Sequence, residues 1–183
     1  RFYDVTEGFI TLDGKDVRTL TQHDLREELG YVPQKGVLFS GTIASNILYG
    51  NPDGSEAEMK EAAEIAQATE FIEEKHKKYE SPIAQGGSNV SGGQKQRLSI
   101  ARAIAKKPKV YIFDDSFSAL DYKTDVTLRA ALKEKTQDST VIIVAQRIST
   151  ILNADQIIVL DDGRMVGLGR HADLLKTCPV YEE

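Results

Sequence analysis

Two acidic side chains close a short apolar run in the second half of the chain. Val110–Phe113 is apolar, and Asp114 and Asp115 follow it directly. A buried strand that ends in carboxylates places them at the carboxyl edge of a parallel sheet, where open α/β folds bind ligands. Asp114 is suited to hold Mg²⁺ through water, because that ion prefers one or two carboxylates plus substrate phosphates. Asp115 is placed to act on an attacking water molecule. The alternative is a strand end that turns into solvent through two acidic residues.

A pair of glycines at a predicted helix start forms a second candidate site. Ser91, Gly92, Gly93 and Gln94 precede a helix-length segment, and Ser91 and Gln94 have the spacing of a capping box. Glycines there leave backbone N–H groups uncovered, and the helix dipole adds positive charge, so the segment suits a phosphate. Each glycine costs roughly 0.5–1 kcal/mol relative to alanine, which favours a function over an ordinary loop-to-helix junction.

The elements that position these residues follow a strand–helix rhythm. Three apolar runs are typical of buried strands, and helix-length segments separate them: Val110–Phe113, Val141–Val144 and Ile157–Leu160. This rhythm predicts a parallel sheet covered by helices. Near the start, Asp13 and Gly14 form a turn pair after a short strand.

The middle of the chain has no strand pattern. It is rich in Ala, Glu and Lys from Ser55 to about Glu80, and Ser55 with Glu58 predicts a helix start. A second helix should run from Ser91 until Pro108 ends it. We therefore expect an α/β fold, with a core of about residues 1–40 and 106–183 and an inserted α-helical subdomain of about 41–105.

Composition narrows the classes of protein. The chain has 183 residues, 23 Lys and Arg against 28 Asp and Glu, a net charge of −5 and one cysteine. One cysteine excludes an intrachain disulfide scaffold, and mild acidity without a basic stripe argues against nucleic acid as the main partner. The longest apolar run, Val141–Ala145, is far shorter than the roughly 20 residues of a membrane-spanning helix.

The candidate residues occur in an order that identifies a family. Gln34 follows a short strand, Ser91–Gln94 comes next, then the Asp114 strand, then Ser118–Asp121. This order resembles the nucleotide-binding domain of ATP-binding cassette (ABC) transporters over essentially the whole chain. The resemblance implies a fold like that of the P-loop NTPases. It also implies that Gln34 is the Q-loop glutamine, Ser91–Gln94 the signature segment, Asp114 the end of the Walker B strand and Asp121 part of the D-loop.

The resemblance also implies ligands and partners. ATP and Mg²⁺ would be the cofactors, with Asp114 and Gln34 holding the ion through water. The nucleotide would contact Gln34, Ser91, Gly92, Gly93, Gln94 and Asp121. Two such domains would sandwich ATP head to tail at the cytoplasmic face of a membrane, and each would serve a transmembrane domain. The segment Leu38–Gly50 is similar to the exporter subfamily in particular, which implies ATP hydrolysis coupled to export.

Two departures bear on catalysis. Hydrolysing members of the family carry glutamate where this chain has Asp115, and usually histidine where it has Gln146. Aspartate is shorter by one methylene, about 1.5 Å, and a misplacement of about 1 Å can cost on the order of 10²-fold in rate. An amide also cannot carry the charge of an imidazolium. Both changes resemble the catalytically impaired half of a heterodimeric exporter, with Asp115 and Gln146 at its own site.

No phosphate loop of the form Gly-x₄-Gly-Lys-Ser/Thr occurs in the 183 residues. In the family this loop lies just upstream of the segment that matches Arg1–Asp4, so we expect a chain truncated after it. Losing about four charge-assisted contacts would remove on the order of 6 kcal/mol, or about 10⁴-fold in affinity. The chain on its own is therefore expected to bind ATP negligibly.

Three other hypotheses remain open. The chain could belong to an active homodimeric exporter that tolerates Asp115 and Gln146, or act as a fragment without nucleotide binding. It could also be a soluble ABC ATPase of DNA repair. Those proteins place long coiled coils between the Q-loop and the signature segment, whereas only 56 residues, positions 35 to 90, separate Gln34 from Ser91 here.

Overall fold

A computed structural model describes residues 1–182, which fall into two compact units, the first Arg1–Val144 and the second from Ala145 onward. The strands of the first unit are β1 (Thr11–Leu12), β2 (Lys15–Asp16), β3 (Leu29–Val32), β4 (Gly41–Thr42), β5 (Pro82–Ile83), β6 (Val110–Asp114) and β7 (Thr140–Val144). Its α-helices are α1 (Gln22–Glu27), α2 (Ile43–Leu48), α3 (Glu56–Ile65), α4 (Thr69–Glu73), α5 (Gly92–Lys106) and α6 (Tyr122–Lys135). The second unit contains α7 (Ile148–Ile151), β8 (Ile157–Asp161), β9 (Arg164–Gly169), α8 (His171–Thr177) and α9 (Pro179–Glu182). Within residues 1–182, no helix is both long enough and apolar enough to cross a bilayer.

A parallel sheet forms the centre of the first unit. Its strand order is β3-β6-β7, with Val32 beside Phe113 and Phe113 beside Ile143. Helix α5 precedes the central strand β6 along the chain, and α6 joins it to β7. The predicted α/β class with a parallel sheet is therefore confirmed. The edge strand β7 leaves Ile142 47% and Val144 52% exposed, so it is not the fully buried strand that its composition predicted.

One apolar core holds this sheet and the helices together. The central strand contributes Tyr111 and Phe113, and α6 contributes Leu128 and Leu132. Helix α5 contributes the largest share of a single helix, with Leu98, Ile100, Ala101, Ala103, Ile104 and Ala105 all buried. The start of α5 is consequently fixed relative to the carboxyl end of β6.

Phe113 is the most direct test of this core, because its side chain is fully buried in the central strand. We expect Phe113→Ala to lower the free energy of unfolding by about 3–5 kcal/mol, through lost apolar burial and the cavity it leaves. Phe9→Ala is the matched control, because the Phe9 ring is 71% exposed. Denaturant titration of both variants measures the difference, and equal losses would contradict this description of the core.

The helical insertion begins as predicted and then departs from the prediction. Both capping boxes are present, Ser55 with Glu58 at α3 and Ser91 with Gln94 at α5. The helix expected after Ser55 is two helices, because Gln67 takes a left-handed conformation (φ 56°) between α3 and α4. The boundaries at about 41 and 105 stay a prediction, since residues of the insertion and of the sheet share one core.

In the second unit, the apolar run at Ile157–Leu160 forms a strand, but not a parallel one. β8 pairs antiparallel with β9 through a turn in which Asp162 (φ 44°) and Gly163 (φ 73°) are both left-handed. Such Asp-Gly turns match the twist of a hairpin. The prediction that this run is a buried strand of the parallel sheet is therefore wrong. Ile158 and Leu160 are exposed, as alternation in a hairpin allows.

Candidate functional site

The two carboxylates at the end of β6 have different partners. Asp114 ends the strand, and its Oδ2 accepts a hydrogen bond of 3.2 Å from the Tyr31 hydroxyl. Asp115 is left-handed (φ 44°), and its N–H donates to the Val144 carbonyl at 2.9 Å. A non-glycine residue in this conformation is uncommon, and such strain clusters at functional sites. The chain therefore turns between Asp114 and Asp115, and the two carboxylates have different hydrogen-bond partners.

Gln34 lies beside the second carboxylate. It follows β3 and Pro33, and its Nε2 donates to Asp115 Oδ2 at 3.0 Å. The buried Ser116 hydroxyl, which donates to the Val32 carbonyl at 2.8 Å, links the end of β3 to the chain after β6. Gln34, which the resemblance groups with Asp114 at the ion, is thus hydrogen-bonded to the neighbouring Asp115 at one edge of the sheet.

Sequence reasoning missed Tyr31 as a member of this group. Partial desolvation of the hydroxyl, together with its hydrogen bond to Asp114, raises the pKa of Tyr31, although half of the side chain is exposed. The hydroxyl is therefore a lasting donor to Asp114 at neutral pH. Its signal in the sequence was an aromatic residue two positions before Pro33 on the strand next to the acidic one.

The signature segment begins α5. Its serine is hydrogen-bonded within the first turn, and its first glycine has free space around it. The Gln94 N–H donates to Ser91 Oγ at 3.2 Å, and the Ser91 N–H donates to Gln94 Oε1 at 3.1 Å. A Cβ on Gly92 would meet nothing within 4 Å, whereas one on Gly93 would lie 3.5 Å from the Ala119 carbonyl oxygen. The first helical turn is consequently open at Gly92 and borders the Ser118–Asp121 loop at Gly93.

Asp121 caps the next helix. Its Oδ1 accepts from the Thr124 N–H at 3.0 Å, and its Oδ2 accepts from the Thr124 hydroxyl at 2.6 Å. These two bonds, the hydroxyl bond first, lower the pKa of the carboxyl. The loop before it is tied to the acidic pair, since the Ser118 hydroxyl donates to the Asp115 carbonyl at 2.8 Å. In this structure, Asp121 therefore fixes the start of α6.

Gln146 belongs to the second unit. It is exposed and follows β7 by two residues, in a short segment before α7. Its place relative to Asp115 stays a prediction.

The donor set at the sheet edge suits magnesium. Asp114 offers carboxylate oxygens and Gln34 an amide oxygen, the hard ligands that Mg²⁺ prefers in proteins. Within residues 1–182, no cluster of three or more His, Cys, Asp or Glu side chains could hold an ion alone. These residues therefore fit an ion whose coordination is completed by phosphate oxygens and water.

Arg102 on α5 contacts the segment from Val37 to Tyr49 through its guanidinium group. Its guanidinium donates to the Asn46 carbonyl (2.9 Å), the Asn46 side-chain oxygen (2.8 Å) and the Val37 carbonyl (2.9 Å). It also lies 4.9 Å from the Phe39 ring centre and 5.8 Å from that of Tyr49. Burial lowers its pKa. Arg102 thereby joins α5 to the segment from Val37 to Tyr49, whose two aromatic rings are exposed.

The comparisons with known proteins agree with this geometry. The family described as ABC transporter matches residues 1–118, and the chain belongs to that family. A structure of a bacterial Atm1-family ABC exporter with ATP bound superposes on the whole chain with a TM-score of 0.96 and 42% sequence identity, and the match covers 32% of that protein. The chain is thus similar throughout its length to the nucleotide-binding domain of an exporter.

Curated relatives point the same way. An ABC transporter ATP-binding protein of Mycobacterium tuberculosis is 48% identical over the whole chain, which covers 32% of that relative. An ATP-dependent lipid A-core flippase of Saccharophagus degradans is 44% identical over 99% of the chain, or 31% of its own length. The chain spans about a third of the length of these relatives.

Proposed function

We propose that this chain is part of the nucleotide-binding domain of an ABC exporter, in which binding and hydrolysis of ATP power export across a membrane. The observation that carries the proposal is the contact of Gln34 with Asp115 beside Asp114, at the carboxyl edge of the parallel sheet. The resemblance to a solved exporter with ATP bound supports it. The domain would work at the cytoplasmic face of the membrane.

Each residue at this edge of the sheet would have a different role in ATP binding and hydrolysis. Asp114 and Gln34 would hold Mg²⁺ through water beside the phosphates, and the ion would supply charge stabilisation there. Asp115 would be the base for the attacking water, oriented by the amide of Gln34 at 3.0 Å. Tyr31 would keep the Asp114 carboxylate in place through its hydroxyl.

The signature segment would serve a second nucleotide-binding domain. Gly92 is open to an approaching phosphate, and Ser91 and Gln94 hold the first turn of α5 in place. Head-to-tail pairing would bring this turn to the nucleotide of the partner, with Asp121 at the same interface. The exposed rings of Phe39 and Tyr49, held by Arg102, would face the transmembrane domain.

The finer proposal is that the site of this chain is impaired and that its partner is a different, competent domain. It rests on Asp115 in place of glutamate and on Gln146 in place of histidine. The intact Ser91–Gln94 segment supports the same division, because it would complete the competent site of the partner.

The test uses the complete transporter in lipid vesicles with Mg·ATP. We expect ATP hydrolysis and substrate export by the wild type, and Asp114→Asn to abolish tight Mg·ATP binding at the site of this chain, because the amide removes the carboxylate that holds the ion. Asp138→Asn, the same change in an exposed turn, should leave binding unchanged. A wild type without nucleotide-dependent export, or equal affinity in both variants, would overturn the proposal.

A further inference from the structure

The side chain of Gln96 lies inside the protein, on the first turns of α5. It is 1% exposed, although glutamine is polar, and it shares the buried face of the helix with Ser99, Ile100 and Ala103. A buried amide must find partners for both its oxygen and its nitrogen. Both partners of Gln96 are backbone groups of the Q-loop, here residues 33–36.

The two hydrogen bonds lie on either side of Gln34. Gln96 Nε2 donates to the Pro33 carbonyl at 3.0 Å, and Gln96 Oε1 accepts from the Gly36 N–H at 2.9 Å. The residue before Gln34 and the second residue after it are therefore both attached to one side chain.

Gly36 allows the backbone to come this close to the helix. A Cβ at position 36 would lie 2.8 Å from Ser99 Oγ and 3.0 Å from the Lys95 carbonyl oxygen, both on α5. Any residue other than glycine at position 36 would therefore force the neighbouring atoms of α5 or the loop to move. The Q-loop is thus packed on α5 as well as hydrogen-bonded to it.

We propose that Gln96 is a positioning residue that couples the signature segment to Gln34. The coupling follows from the fold, because α5 begins at Gly92 and carries Gln96 in its second turn. A displacement of the start of α5 moves Gln96, and Gln96 moves the backbone that carries Gln34. The inference rests on the proposed function, in which the signature segment contacts the nucleotide of the partner and Gln34 that of this chain.

The coupling gives the two nucleotide sites of a pair a direct connection. Occupancy at the partner's nucleotide would act on Gly92 and Gly93, and the change would reach the Gln34 amide, which donates to Asp115 at 3.0 Å. This connection consists of α5 and the side chain of Gln96. The strands of the sheet do not have to move for it to operate.

The first variant removes both hydrogen bonds. In the complete transporter with the site of the partner inactivated, we expect Gln96→Leu to lower the kcat of ATP hydrolysis at the site of this chain about tenfold while the KM for ATP changes less than about twofold, because misalignment by a fraction of an ångström affects the transition state more than ground-state binding. Hydrogen exchange at the Gly36 amide should accelerate by about tenfold, since its acceptor is gone.

The second variant, Gln96→Glu, loses the hydrogen bond to the Pro33 carbonyl at high pH and regains it at low pH. The carboxyl introduced by Gln96→Glu still accepts from Gly36 when ionised at about pH 8, but it donates to Pro33 only when protonated, and burial raises its pKa. We expect kcat relative to wild type to rise about fivefold between about pH 8 and pH 6. Gln137→Glu, the same change in an exposed turn, should follow the wild type throughout.

Each outcome decides the inference. Wild-type kcat in Gln96→Leu, or losses of kcat and affinity in the same proportion, would overturn it. If Gln96→Leu does not fold, a pH-independent deficit in Gln96→Glu overturns it and a pH-reversible one supports it. A wild type without ATP hydrolysis would instead contradict the proposed function, so the two failures are distinguishable.

Discussion

Asp115→Glu should raise ATP hydrolysis at the site of this chain by about 10²-fold in the complete transporter. The backbone at position 115 is held by its N–H bond to Val144 and by the Ser118 hydroxyl on its carbonyl. The added methylene therefore moves the carboxylate by about 1.5 Å instead of moving the chain, and a base must come within roughly 2.6–3.2 Å of its water. Hydrolysis by the assembled pair, with the site of the partner inactivated, measures the gain.

The control for this gain is Asp138→Glu, the same chemical change in an exposed turn, which should leave the rate unchanged. Gln146→His is made separately and then together with Asp115→Glu, since the two positions belong to different units of the structure. An unchanged rate in all of these variants would favour the rival hypothesis, in which the exporter hydrolyses ATP with the residues it has.

Gly92→Ala should separate stability from function. The position is helical and a Cβ there meets nothing within 4 Å, so alanine should keep or raise the free energy of unfolding, by about 0.5 kcal/mol. Hydrolysis at the site of the partner should nevertheless fall at least about 10²-fold. The methyl group would occupy the space where a phosphate must reach the backbone N–H groups of the first turn.

Two measurements on one variant check this result. Denaturant titration gives the stability, and hydrolysis by the assembled pair gives the activity. Gly93→Ala is measured beside it. A Cβ at position 93 would lie 3.5 Å from the Ala119 carbonyl oxygen, which is an ordinary van der Waals contact. A stable Gly92→Ala variant with full activity would show that the signature segment has no close contact with nucleotide.

The local parts of the fold were predictable because short-range chemistry determines them. Both capping boxes, the Asp13-Gly14 turn and the parallel strands ending near Asp114 are present as the residue types and spacing indicated. The pairing of β8 was not, because an apolar run shows the same composition in a parallel sheet and in a hairpin. Only the Asp162-Gly163 pair distinguished the two, and its significance depends on the strand that follows it.

The site was predictable as a set of residues but not as a set of contacts. The resemblance grouped Gln34 with Asp114, and in the structure Gln34 is hydrogen-bonded to the neighbouring Asp115 at one edge of the sheet. Gln96 was missed because both of its partners are backbone groups, which a sequence does not specify. The available signal was a polar residue on the buried face of α5, where Gln96, Ile100 and Ala103 recur at helical spacing.

The edge of the sheet at β7 has a consequence for handling the chain. Within residues 1–182, β7 pairs with β6 alone, and Ile142 and Val144 present apolar side chains beside its unpaired backbone. A strand of this kind is a template for pairing with another chain. Pairing with a strand of another copy would therefore be favoured at this edge of the given chain, and Ile142→Lys would oppose it by placing charges of like sign side by side.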